Sequence, residues 1–240
     1  KLAKIAGLME LTAARRYARL GGHFSPDQRQ GLYTDAFQRV VVESDPEAIF
    51  EGVFERSDSQ DWTDSALAAD VHLYLADDLL VKMDRATMAH SLEARSPFLD
   101  HVLMEYVATL PPDFKLLGTE KKRVLKASLR GSIPDTILDR PKMGFCAPID
   151  NWFRQDLREF TSDLLLSSRS MQRGYFRPQA VAKLLDTHVT GESNHGTHLW
   201  DLLILELWHR TFIDGKDQIA PPATNTQDSA VMNSSFLSVS

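Results

Sequence analysis

Three short stretches of this chain carry residues whose types and spacing could do chemistry. In the run Tyr74-Leu75-Ala76-Asp77-Asp78-Leu79-Leu80-Val81-Lys82-Met83-Asp84-Arg85, the side chains of Asp78, Lys82 and Arg85 fall at i, i+4 and i+7. On an α-helix those positions share one face, and a carboxylate four residues before an ammonium is the favourable order for an ion pair. The plain alternative is a solvated charged stripe contributing about 0.2–0.5 kcal/mol per pair. The second stretch is Arg140-Pro141-Lys142-Met143-Gly144-Phe145-Cys146-Ala147-Pro148. It sets a lysine between a rigid proline and a flexible glycine, with Phe145 as an apolar anchor. A lysine held in this way can present a fixed positive charge to a phosphate or a developing oxyanion. Spacing alone is equally consistent with a surface turn that exposes its lysine. The third, Glu93-Ala94-Arg95-Ser96-Pro97-Phe98-Leu99-Asp100, puts opposite charges on an extended turn flanked by apolar residues. The expectation for Glu93 and Arg95 is a buried pair fixing a corner between helices, structural rather than catalytic.

Other chemistry-bearing residues are weaker. Cys146 is the single cysteine of the chain, which excludes an internal disulfide and a thiolate zinc cage. No histidine partner is legible beside it, so a small, partly buried thiol is expected. His195 and His198 stand in Asn194-His195-Gly196-Thr197-His198 without neighbouring acidic or thiol ligands, and read as a loop running into a helix. No metal site is expected within the chain.

The bulk composition sets the class of molecule that must position these groups. With 240 residues, 43% hydrophobic and 25% charged, the chain can bury a real core. A net charge of −6 argues against a general nucleic-acid or membrane-surface binder. The charge is uneven, however. Between Lys115 and Lys142 the basic residues Lys115, Lys121, Lys122, Arg123, Lys126, Arg130, Arg140 and Lys142 face only Glu120, Asp135 and Asp139. That patch suits a small anionic ligand. No run of about 18 apolar residues is present, so no membrane span is expected, and lone-cysteine usage points to a reducing, cytoplasmic setting. The chain starts at Lys1 without a signal-peptide pattern, and its native N-terminus is expected to lie upstream.

Periodicity predicts an almost wholly helical chain. Residues 1–20 read as a helix stopped by Gly21-Gly22, and Ser25-Pro26-Asp27 as the capped start of a helix reaching Phe37. A long helix is predicted from Asp64 to about Glu93, from Leu67, Val71, Tyr74, Leu75, Leu79 and Met83. Asp100 is placed as an N-cap, and Thr119 as the cap of a helix over 120–130. Further helices are expected near 149–166, 178–189 and 197–212. The triplet Val40-Val41-Val42 is the longest strand-like run. Beyond Asp214 the Pro-, Thr- and Ser-rich sequence cannot offset its ordering entropy, so residues 215–240 are expected to be a disordered tail.

Taken in order, the motifs resemble the synthetase domain of the asparagine synthetase family. The resemblance is carried by Tyr-Leu-x-Asp-Asp-Leu-Leu-x-Lys-x-Asp-Arg from Tyr74, then by Glu-x-Arg-x-Pro-Phe-Leu-Asp from Glu93. It continues through Lys122-x-x-Leu125-Lys126, where lysine stands in place of the family's final arginine, then Arg140-Pro141-Lys142-x-Gly144-Phe145-x-x-Pro148 and Leu205-Glu206-Leu207-Trp208. The resemblance implies the helical C-terminal part of an α/β ATP-pyrophosphatase domain: residues 1–63 as a lead-in and residues 64–214 as the helical part itself. It implies an amide-forming ligase that activates a carboxylate, aspartate or another, with ATP and Mg²⁺ and then accepts ammonia released from glutamine. It implies a catalytic role for Lys142 and substrate or nucleotide contacts for Asp78, Lys82, Arg85 and Lys122. Glu93, Arg95 and Gly144 would support the site.

The family's Ser-Gly-Gly-x-Asp-Ser nucleotide loop, its Gly-Glu-Gly-x-Asp-Glu metal segment and its glutaminase domain do not occur in the sequence. The chain by itself is therefore expected to be inactive, with an exposed apolar face on the helices at 64–93 and 120–130 where the absent α/β half would dock. An amidotransferase acting on a surface-polysaccharide, peptide or β-lactam precursor, or a helical module without catalysis, would share many of these features. The oligomeric state is open, a homodimer included.

Overall fold

A computed structural model describes residues 8–141, 144 and 147–215. Lys142, Cys146 and the tail from residue 216 on lie outside the described residues. The chain divides into two units, residues 1–22 with 43–144 and residues 23–42 with 145–240. In chain order the helices are α1 Ala13–Gly21, α2 Pro26–Leu32, α3 Asp35–Val41, α4 Ala48–Arg56 and α5 Trp62–Ala69. A π-helical segment Asp70–Leu80 then joins α5 to α6 Val81–Met88, followed by α7 His101–Ala108. Strands β1 Leu116–Leu117 and β2 Glu120–Lys121 form an antiparallel hairpin ahead of α8 Arg123–Leu129. After α8 come α9 Ile149–Arg154, α10 Arg158–Leu165, α11 Ser168–Gln172, α12 Pro178–Val189, α13 Gly196–Trp208 and a second π segment, His209–Ile213, with single helical turns also at Pro97–Leu99, Pro112–Lys115 and Asp135–Leu138. Mainly helical is the correct class. Among the described residues, no helix is long and apolar enough to cross a membrane.

Several predicted helices are divided, and in each case a local competitor for the backbone explains the break. The helix expected over 1–20 is interrupted at Thr12, whose hydroxyl accepts the Arg15 amide at 3.3 Å and starts α1 afresh. Ser25 and Gln28 form the expected capping box with Pro26 at the first helical position. That helix ends at Leu32, because Tyr33 is extended and Thr34 caps α3 through Phe37. The Val40-Val41-Val42 run therefore finishes a helix rather than forming a strand. The helix expected over 120–130 is shortened by the β1–β2 hairpin, which turns at Gly118 with φ +59°. Asp100 caps α7 as expected, accepting the Leu103 amide at 3.0 Å.

In the first unit, α1, α4 and α5 pack around Ala14, Ala18, Val53, Ala66 and Ala69. Tyr17 joins them: its ring lies 5.7–6.3 Å from Phe50, Phe54 and Trp62, and its hydroxyl donates to Asp70 Oδ1 at 2.6 Å. That bond fixes the first residue of the π segment. Burial, and then the neighbouring Asp70 carboxylate, hold the Tyr17 phenol well above its usual pKa. Tyr17→Phe deletes a hydrogen bond to a charged acceptor. It should lower stability by about 1.5–3 kcal/mol in urea unfolding, and an unchanged midpoint would show the bond to be idle. Beside this cluster Arg15 reaches Asp45 at 2.5 Å and Glu51 at 2.8 Å, and Arg19 reaches Glu47 at 3.1 Å.

The second unit holds the better core. Leu32, Phe153, Leu164, Leu165, Val181, Leu185, Leu199, Leu202 and Leu203 form one buried cluster contributed by α2, α9, α10, α12 and α13. The predicted helix over 149–166 bends at Gln155, giving α9 and α10, and both pack on α13. Backbone bonds from Thr34 N to Tyr175 O (3.0 Å) and from Arg177 N to Leu32 O (2.8 Å) tie the α2–α3 junction to the turn before α12.

The two units differ in one respect that bears on the site. No described residue from Asp70 to Gly144 is buried. Tyr74, Met83, Met88, Leu92, Phe98, Val102, Tyr106 and Phe114 are each at least half exposed. Past Ala69, the apolar periodicity that predicts a helix over 64–93 therefore marks a face that no described residue of the first unit buries. This is the face anticipated from the sequence, and it is far larger than the scattered apolar residues of an ordinary surface.

Candidate functional site

The Asp77-Asp78 stretch lies in the π segment, not in a regular α-helix. Hydrogen bonds that skip one residue further widen the turn, and such segments often occur at functional positions. Asp78 and Lys82 still meet, at 3.9 Å, because Lys82 already belongs to the α-helix α6. Both side chains are more than half exposed, and Arg85 is exposed one turn further along. At that exposure the pair is worth little to stability, so its charges stay available to a ligand.

Glu93 and Arg95 pair at 2.8 Å, but the pair is not buried as expected: the side chains are 68% and 83% exposed. The stretch around them has no partner element within the first unit to exclude water, and burial of an ion pair requires one. Lys122 sits in the left-handed region (φ +59°) at the junction of β2 and α8, with its carbonyl accepting the Lys126 amide at 2.9 Å. Its side chain is exposed. Among the described residues it joins no ion pair. Gly144 is exposed, and Lys142, two residues before it, lies outside the described residues.

The basic patch expected between Lys115 and Lys142 is largely neutralised, by the three acids of the same stretch and by one partner outside it. Lys115 pairs with Asp64 at 2.7 Å, with side chains only 11% and 18% exposed, and donates to Ala108 O at 3.1 Å. The two residues are 51 positions apart, and nothing in the local pattern announces the pair. Arg123 bonds Glu120 at 3.0 Å and also the Asp113 carbonyl. Arg130 grips Asp135 and Asp139 at 2.6 and 2.7 Å, holding the Asp139 carboxyl below its usual pKa. An open cleft of about 590 Å³ runs along this side of α8, lined by Phe114, Glu120, Arg123, Val124, Lys126, Ala127 and Arg130. Its cations are occupied, which leaves Lys122 and Lys121, at its margin in sequence, as the exposed ammonium groups among the described residues of this stretch. Among the described residues, no three His, Cys, Asp or Glu side chains converge as metal ligands would.

The described geometry thus offers three charged groups on the π–α6 face and an exposed lysine before α8, all within the stretch from Asp70 to Gly144 in which no described residue is buried. Comparison with known proteins bears on what such a surface serves. The asparagine synthase family model matches residues 1–210. Over 145 residues the chain is 31% identical to glutamine-hydrolysing asparagine synthetase 1 of Bacillus subtilis, covering 60% of this chain and 23% of that one. It is 40% identical over 147 residues to a Mycobacterium tuberculosis protein that carries the asparagine synthetase name provisionally, covering 60% and 22%. It is 34% identical over 144 residues to the glutamine-hydrolysing asparagine synthetase of Rattus norvegicus, covering 53% and 25%. The chain thus spans about a quarter of the length of the curated relatives it matches. No solved structure matches it.

Proposed function

The chain belongs to the asparagine synthase family, and on that premise we propose that it forms the helical C-terminal part of a synthetase domain that makes an amide at the expense of ATP. Residues 1–63 are the lead-in and residues 64–214 the helical part. The carboxylate substrate attacks the α-phosphorus of ATP, giving an acyl-adenylate and releasing pyrophosphate. Ammonia from glutamine then attacks the acyl carbon, and the tetrahedral intermediate collapses with loss of AMP. Aspartate, giving asparagine, is the preferred assignment, and another carboxylate on the same scaffold is the alternative. Negative charge grows on phosphate and carbonyl oxygens in both steps, where a pre-positioned ammonium is most effective. Lys142 takes that role. Asp78 and Lys82 offer opposite charges to an amino-acid substrate, Arg85 adds a guanidinium on the same helix, and Lys122 approaches the nucleotide. Glu93, Arg95 and Gly144 shape the surroundings.

The observation that carries this reading is the coincidence of the motif residues with the uncovered face. Every described residue from Asp70 to Gly144 is at least partly solvent-exposed, and the family's charged motifs lie in that same stretch. An isolated helical module would bury such an apolar stripe. A surface that completes its site against a nucleotide-binding segment would leave it open. Mg²⁺ would draw its carboxylates from that segment, since the acidic groups described here do not converge.

The reading has a direct test. Isothermal titration of the 240-residue chain with MgATP should give no saturable heat in the micromolar range, because the backbone amides that cradle pyrophosphate in a serine–glycine loop are not in this sequence. Micromolar binding would mean that the chain holds a nucleotide site of its own and would overturn the division of labour proposed here.

A further inference from the structure

A group of histidines in the second unit, unused by the proposed chemistry, is arranged so that added protons break it. His188, on α12, is fully buried, and both ring nitrogens are committed. Its Nδ1 accepts the backbone N–H of His195 at 3.0 Å, so that nitrogen must carry a lone pair. Its Nε2 lies 3.0 Å from the Asp150 carbonyl, which can only accept, so that nitrogen must carry the proton. The two bonds together fix one neutral tautomer. A second proton has only Nδ1 to go to, and there it meets an N–H donor.

The neighbouring pair repeats the logic. His198 Nε2 lies 2.9 Å from the His23 carbonyl and must donate to it. Neutral His198 therefore has its lone pair on Nδ1, which lies 3.3 Å from Nδ1 of His195, and His195 is the donor between them. One added proton can be absorbed by exchanging these roles. Two cannot, because both Nδ1 atoms would then carry hydrogen and face each other.

The surrounding charges do not rescue a protonated His188. Asp150 and Arg154 of α9 are the charged side chains facing it, and His195 is the titratable group on the other side. The Asp150 carboxylate accepts from the Asn194 amide, and Arg154 donates to the His188 carbonyl at 3.1 Å. Phe153 closes the remaining side, its ring centroid 6.5 Å from that of His188. Burial is the largest influence on His188 and His195, and it pushes both below the ordinary histidine value of 6.5. Around His198, the His23 ring Nδ1 lies 2.8 Å from the Asp201 carboxylate.

We propose that His188, with the His195–His198 pair, is a proton-operated latch that holds the 190–195 loop against α9 and α12 at neutral pH and releases it in mild acid. The sign follows from linkage. A histidine whose folded pKa is depressed binds fewer protons folded than unlatched, so the latch is fully closed above about 6.5 and loosens as pH falls below it. Between the unlatched and latched pKa values, the opening equilibrium rises by up to about tenfold per pH unit. The region held is the one where Asn194 pins Asp150 and where a Cβ on Gly196 would collide with the Asp150 carboxylate, so it has no slack.

The test is amide hydrogen exchange of the 240-residue chain, read at the His195 N–H from pH 7.5 to 5.0 and corrected for intrinsic exchange. Protection at His195 should fall by about tenfold or more below pH 6.5, while α10 amides outside the latch hold theirs. In His188→Asn, the side-chain oxygen can accept the same N–H at every pH, so protection should persist into acid. Wild-type protection that stays constant to pH 5.0 overturns the latch. So does loss of protection spread evenly over the unit, which would be global unfolding. Both readouts come from the wild-type chain and survive a variant that fails to fold.

Discussion

Lys142→Ala should reduce the rate of amide formation by about 100- to 1000-fold while leaving the KM for the carboxylate substrate nearly unchanged. The measurement needs an active enzyme. A suitable one is a chimera in which residues 1–210, the span of the family match, replace the corresponding segment of the Bacillus subtilis relative, assayed with ATP and ammonia. The size of the effect follows from removing one pre-positioned donor to an oxyanion, a loss of about 2.7–4 kcal/mol in transition-state stabilisation. The split between kcat and KM follows from the role. A lysine that meets charge only as it develops contributes little to ground-state binding, so its removal slows the chemistry without releasing the substrate. If the chimera is active and Lys142→Ala retains kcat within about threefold, the lysine is a surface residue and the mechanism assigned to it fails. An inactive chimera with a folded second unit would count instead against asparagine as the product.

Glu206→Ala should cost the second unit about 3 kcal/mol, the largest stability loss expected from a single polar side chain in the described structure. Glu206 is 3% exposed and lies between two guanidinium groups, with Arg173 Nε at 2.5 Å and Arg210 Nε at 2.8 Å. Arg173 also reaches Asp214 at 2.6 Å, and Arg169 meets the same carboxylate at 2.9 Å. Removing one partner of a buried ion pair typically costs about 3–5 kcal/mol, because the charge left behind is neither solvated nor paired. The value here belongs at the lower end, since Arg173 keeps Asp214. Urea unfolding should show the loss as a shifted midpoint, and a change under 1 kcal/mol would mean that water replaces the carboxylate without penalty.

The same network gives an acid limit. Burial raises the Glu206 pKa, but its bonds to Arg173 and Arg210 outweigh that and leave it lowered. The bond to Arg173 draws Asp214 from 3.8 to about 2. Both carboxylates bind fewer protons folded than unfolded. Their contribution is therefore complete above the unfolded values and is lost as pH falls through the folded ones, for Asp214 between 3.8 and about 2. This window lies well below the histidine latch, so the two effects separate in a single pH series.

The helical class was legible because apolar spacing of three and four is a direct image of helix geometry, and so were the caps at Ser25 and Asp100. Where the chain departs from that pattern, the cause is local and readable only afterwards. Thr12 and Thr34 can cap as well as continue, and nothing in the sequence ranks the two uses. The hairpin at Leu116–Lys121 displaced the expected start of a helix because Gly118 could take a positive φ. The π segment was not legible, since the apolar residues of Asp70–Leu80 satisfy an α pattern and the wider turn is a matter of backbone hydrogen bonding.

The site divides in the same way. Residue identity by itself determined the family to which these motifs belong, and it nominated the groups proposed to act: Asp78 and Lys82 by their spacing, and the lysine between Pro141 and Gly144. Tertiary structure alone decided which charges are available. Lys115 is taken by Asp64, Arg123 by Glu120 and Arg130 by two aspartates, while the Glu93–Arg95 pair stays in water. It also decided that the apolar residues over 70–93 stay unburied among the described residues and that His188 carries one fixed tautomer. The physical reason is that helical periodicity follows from residue spacing, whereas ion pairing, burial and protonation depend on where each side chain and its partner are placed, whether two residues apart as for Glu93 and Arg95 or 51 apart as for Lys115 and Asp64.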